Sequence, residues 1–136
     1  MQKILIADDD ARMRDMVRQV VAGLASSVWE AADGAEAIAI CAAERPDWVL
    51  MDLRMRPVDG LRATAEIKAL VPETRVIIVS QYDDASLRAK AARAGARAYV
   101  LKENLQELLR ILAEGQSRNH CGEANAGVPP PPAEPK

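Results

Sequence analysis

Short apolar runs alternate with helix-like stretches along most of the chain, and that alternation restricts the fold more than any other feature. The runs are 3–7, 28–31, 48–51, 75–79 and 98–101. Each is too short for a helix, and breakers or turn residues flank most of them, which predicts strands. Arg75-Val76-Ile77-Ile78-Val79 is the clearest, with four consecutive β-branched residues. The run ending at Ala31 is the weakest.

The intervening segments carry helical spacing. Met13, Met16, Val17, Val20 and Leu24 form one stripe behind Asp10, a residue suited to cap the first turn. Asp33-Gly34 signals a turn and cap before an Ala-rich segment, 35–44, which Pro46 stops. Residues 61–70 read as a third helix, ended before Pro72. Asp83-Asp84 opens a fourth at 85–94, and Gly95 stands just past its end. Leu105, Leu108, Leu109 and Leu112 mark a fifth at 103–114. Strict strand–helix alternation forces right-handed crossovers and a parallel sheet covered on both faces. The prediction is an α/β, flavodoxin-like doubly wound fold: a five-stranded parallel sheet, strand order 2-1-3-4-5, with five helices.

With 136 residues the chain can form one domain with a real core. An aromatic share of 3%, with no Phe, makes that core aliphatic and leaves Trp29 and Trp48 as expected half-buried packing residues. A net charge of −2 argues against direct nucleic-acid binding by this chain. Cys41 and Cys121 form no metal or redox pattern, which suits a reducing compartment. No apolar run approaches the roughly 18 residues of a membrane span, and the N-terminus runs straight into a strand rather than a signal peptide. A cytoplasmic protein without membrane contact is the expectation. The pattern ends near Gln116, so 1–116 reads as the domain. Residues 117–136, with Pro129 to Pro132, read as a disordered Pro-rich tail or linker stub.

The residues that end the strands carry the chemistry. Asp8 and Asp9 follow the first strand, Asp52 the third, Ser80 the fourth and Lys102 the fifth. In a parallel sheet these ends share one edge, where such folds bind ligands. Any one of them alone is an ordinary cap or surface residue; their coincidence at the right termini is the signal. Three close carboxylates repel one another. A hard, oxygen-binding cation such as Mg²⁺ resolves this. Asp52 would then stay an ionised nucleophile toward a phosphoryl group, with Ser80 and Lys102 covering the phosphoryl oxygens.

On these residues, with Met51-Asp52, Asp59-Gly60 and Tyr99-Val100-Leu101-Lys102, the sequence resembles the receiver domain of two-component response regulators over roughly residues 1–115. The resemblance implies that Asp52 is the phosphoacceptor for a sensor histidine kinase or phosphotransfer protein. It implies that Asp9, Asp52 and the backbone carbonyl of Arg54 bind Mg²⁺ directly, with Asp8 acting mostly through water. Ser80 and Lys102 would hold the phosphoryl group. Tyr99 would be the switch aromatic, turning inward as Ser80 moves, and so altering the face built from helix four, strand five and helix five. The output would be a downstream protein partner or a C-terminal DNA-binding domain that this chain lacks. Phosphoryl self-transfer and slow autodephosphorylation are implied, not turnover catalysis.

Three positions depart from the family wording. Arg56 stands where Pro is usual, with Pro57 following; Gln81 follows Ser80 in place of a small residue; Glu103 follows Lys102 in place of Pro. None removes a reacting group. Arg54 and Arg56 flank the site, either as solvated loop residues or as attractors of anionic donors. Two other readings compete. Tyr99 to Asn104 resembles the subclass that carries a helix-turn-helix domain, so the chain could be a fragment of a longer transcription regulator. Asp8-x-Asp10 superficially resembles a small Mg²⁺-dependent phosphatase of the haloacid-dehalogenase type, but the Thr and the late acidic motif of that family are missing.

Overall fold

Parallel strand pairing and burial of the inner strands on both faces together fix the sheet. The computed structural model describes residues 2–56 and 58–114. Its strands are β1 (Gln2–Ala7), β2 (Ala25–Ala31), β3 (Trp48–Met51), β4 (Arg75–Ser80) and β5 (Ala98–Leu101). Its helices are α1 (Ala11–Val21), α2 (Gly34–Glu44), α3 (Gly60–Leu70), α4 (Ala85–Ala94) and α5 (105–114). All strand pairs are parallel, in the order β2-β1-β3-β4-β5. This is the doubly wound arrangement that the alternation predicts. β2 starts earlier than its apolar pattern does, because Ser26 and Ser27 join it as exposed residues of an edge strand. There, backbone pairing with β1 holds the strand without side-chain burial.

Successive residues of the central strands face opposite cores. Leu5, Ala7, Val49, Met51, Val76 and Ile78 pack on one side, against α2, α3 and α4. Ile4, Ile6, Trp48, Leu50, Ile77 and Val79 pack on the other, against α1 and α5. Two expectations are corrected here. Met16, expected on the buried stripe, is 51% exposed, and α1 is buried through Val17, as expected, and Val21. Trp48 is fully buried rather than half-buried. Its indole Nε1 donates to Gln2 Oε1 at 2.6 Å, and Gln2 Nε2 donates to the Leu112 carbonyl at 3.1 Å. The buried N–H therefore has the partner that burial demands.

Aspartates cap the N-termini of four of the helices. Asp10, Asp33, Asp59 and Asp84 accept from the backbone N–H of Arg12, Glu36, Arg62 and Leu87 respectively. Gly95 ends α4 with φ 108°, a left-handed conformation that glycine adopts without penalty. The loop after β3 is fitted closely at both ends. Gly60 N–H donates to the Leu53 carbonyl at 3.0 Å, and Gly34 N–H to the Val58 carbonyl at 3.1 Å. A Cβ at Gly60 would collide with the Asp52 carbonyl oxygen, and one at Gly34 with that of Val58. The expected Pro-rich tail at 117–136 lies outside the described residues, as does Pro57.

Candidate functional site

The sheet ladder itself brings the strand tips together. Asp52 N–H donates to the Ala7 carbonyl at 2.9 Å, which extends the β1–β3 pairing one residue and sets Asp52 beside Asp8. Lys102 N–H donates to the Ser80 carbonyl at 2.8 Å and does the same for β4 and β5. The Lys102 ammonium then lies 3.1 Å from Asp8 Oδ2 and 3.2 Å from Asp52 Oδ1. Both carboxylates are buried, and Asp9 is exposed. Asp8 Oδ1 accepts the Asp10 N–H at 2.9 Å.

Electrostatics at this cluster follow from burial and charge. Burial pushes the Asp52 carboxyl up to about 6; Asp8 adds to the rise, and the Lys102 ammonium pulls against it. For Lys102, burial works to lower the pKa, but the carboxylates of Asp52 and Asp8 prevail and hold it above the usual lysine value. One carboxylate oxygen from each of Asp8, Asp9 and Asp52 falls within 4.8 Å of the others. An all-oxygen, anionic donor set with an exposed member fits a hard divalent cation that keeps several waters.

Ser80 is 1% exposed at the last position of β4. Its Oγ accepts from the Tyr82 N–H at 3.0 Å. The carbonyl of the same Tyr82 accepts from the Tyr99 hydroxyl at 2.6 Å. Tyr99 is half-buried against the α2–α4 core, with the Arg88 guanidinium 4.6 Å from its ring centre. Arg54 lies 4.6 Å over the Tyr82 ring. A cavity of about 480 Å³ opens beside Asp9, between Arg54, Arg56, Met55, Leu87 and Tyr82.

The residues singled out from the strand ends, Asp8, Asp9, Asp52, Ser80 and Lys102, thus lie on one edge. Arg54 and Arg56 are exposed and also line the cavity. Gln81 is exposed; Tyr82, which the sequence reading passed over, is the cavity wall on that side. The one available signal was its place two residues after Ser80. Asp10 spends its side chain on capping α1, so Asp8 and Asp10 are not a convergent carboxylate pair of the phosphatase kind.

Residues 4–113 match the family model of the response regulator receiver domain. The chain is 38% identical over 112 residues to the oxygen regulatory protein NreC of Staphylococcus haemolyticus, covering 80% of this chain and 52% of that protein. It is 31% identical over 121 residues to the transcriptional regulatory protein YxjL of Bacillus subtilis, covering 85% and 56%. The chain therefore spans about half the length of the curated relatives it matches. The receiver domain of AraT, a response regulator from Geobacillus stearothermophilus, superposes with a TM-score of 0.76 at 28% identity, covering 88% of this chain and 98% of that one. Among the described residues no helix is long and apolar enough to cross a membrane.

Proposed function

This chain belongs to the response regulator receiver domain family, and from that premise we propose that it is a phosphorylatable switch with Asp52 as the phosphoacceptor. The observation that carries the reading is the convergence of Lys102 on both Asp8 and Asp52, with Ser80 at the neighbouring tip.

An Asp52 carboxylate oxygen attacks the phosphorus of a phosphohistidine on a sensor kinase or phosphotransfer protein. The new P–O bond forms as the P–N bond breaks, and the electron pair leaves with the imidazole nitrogen. Lys102, already on the Asp52 carboxylate, is in place to follow the charge onto the phosphoryl oxygens. The Ser80 hydroxyl, at the tip of the neighbouring strand β4, is the second donor. Asp8, Asp9 and Asp52, with the Arg54 carbonyl, would hold Mg²⁺. When bound, the cation supplies neutralisation of the carboxylates and of the transferred group.

If the Ser80 hydroxyl turns to the phosphoryl group, it must leave the Tyr82 N–H. The Tyr82 carbonyl carries the Tyr99 hydroxyl, so the backbone of Tyr82, through its N–H on one side and its carbonyl on the other, links the site to the face of α4, β5 and α5. Output through that face would reach a separate protein in the cytoplasm. A second reading joins this receiver to a DNA-binding domain in its full-length protein. The half-length coverage and the names of the relatives favour it, NreC as an oxygen regulatory protein and YxjL as a transcriptional regulator.

The test is mass spectrometry after incubation with acetyl phosphate and Mg²⁺. One added phosphoryl group is expected on the wild type and none on Asp52→Asn. An unmodified wild type, or a modified Asp52→Asn, would overturn the assignment.

A further inference from the structure

One cationic side chain outside the site grips its acidic loop. Arg14, on α1, donates from Nη1 to the Asp8 carbonyl oxygen at 2.6 Å. Its Nε pairs with Glu30 Oε1 at 2.9 Å, while the other Glu30 oxygen pairs with Arg18 at 3.1 Å. The Arg14 side chain is 18% exposed, against 42% for Arg18. Glu30 lies on β2, in register with Ile6 of β1. The guanidinium fork therefore reaches from a strand on one side to the backbone of the loop on the other.

The carbonyl that Arg14 holds belongs to the peptide joining Asp8 to Asp9. The rest of Asp8 is already fixed. Its N–H donates to the Ala31 carbonyl at 3.0 Å, and its two carboxylate oxygens meet the Asp10 N–H and Lys102. Asp9 is exposed, so the direction of its carboxylate depends on how that peptide is turned. We infer that Arg14 is a positioning residue for the divalent cation: by locking the Asp8–Asp9 peptide, it aims the Asp9 carboxylate at the place where it meets Asp8 and Asp52. This rests on the metal reading of the site given above.

The sign of one measurement separates this role from mere proximity of charge. A cation near a metal site repels the metal, so loss of Arg14 charge alone would tighten Mg²⁺ binding. Loss of positioning weakens it. The experiment is calorimetric titration of the full chain with Mg²⁺, together with melting of the metal-free proteins. Arg14→Met is expected to raise the dissociation constant about tenfold, the lower end of what removing an outer-shell partner costs a metal site. Arg18→Met, which shares Glu30 but does not touch Asp8, is expected to keep wild-type affinity. Unchanged or tighter binding in Arg14→Met, or an equal loss in Arg18→Met, overturns the inference. If Arg14→Met does not fold, Arg14→Lys decides. It keeps the charge but not the fork, so weakened binding supports the role and wild-type affinity removes it. A wild type that binds no Mg²⁺ fails the metal reading itself, and this inference falls with it.

Discussion

Asp52 is an uncomfortable charge in the folded chain. Its pKa of about 6 stands above the ordinary 3.8, chiefly because it is buried. A carboxyl raised in this way favours the protonated form in the fold, so the ionised form costs stability. The penalty is complete above the folded pKa, shrinks as pH falls through 6 toward 4, and is absent below the unfolded value. Asp52→Asn carries no such charge. With a chelator present, it is expected to exceed the wild type by about 2 kcal/mol near pH 7.5, and by progressively less toward pH 4. Urea unfolding at several pH values measures this, and no gain near pH 7.5 would contradict burial as the cause. Asp8, Asp52, Ser80 and Lys102 were legible in the sequence because a parallel sheet gathers strand ends whatever lies between them. Tyr82 and Arg14 were not. Their contacts with the site run through backbone N–H and carbonyl groups, which every residue has and no side-chain pattern names.

At the scale of elements, local signals placed most of the boundaries. α4 and β5 begin and end where Asp84, Gly95 and the apolar run indicate. The misses were long-range. Burial of Trp48 depends on Gln2, 46 positions away in sequence, and nothing near Trp48 announces a partner for its N–H. Gln2 in turn holds the last turn of α5 through the Leu112 carbonyl. Gln2→Leu is expected to lower stability by about 2 to 3 kcal/mol, because it strands a buried indole donor and removes a helix-end contact. Adding Trp48→Phe to that background should recover part of the loss, since the stranded donor is gone. Denaturant midpoints of the two single variants and the double variant test this. Independent, additive losses would show that the pair is not coupled.

Across the whole molecule, stability is distributed unevenly. β1, β3 and β4 are inner strands and supply most of the fully buried side chains. α3 buries Gly60, Ala63, Thr64 and Ile67, whereas α4 buries Ala91 alone. Amides of the inner strands are therefore expected to exchange at rates set by global unfolding, and those of α4 to exchange well before those of α3. Hydrogen exchange followed by NMR or mass spectrometry reads this directly, and equal protection of α3 and α4 would refute it. The alternation of the pleat has one more consequence. Asp8 and Asp52 follow Ala7 and Met51 of one core, and Lys102 is in phase with Val100 of the other, so by that alternation all three stand on the α1 and α5 side. Ser80 is in phase with Ile78, which faces the other core as Tyr99 does, against α2, α3 and α4. The sheet is thus a wall one residue thick, with Asp8, Asp52 and Lys102 in one room and the hydroxyl and phenol in the other. The doorway between them is at the strand tips, where the wall stops.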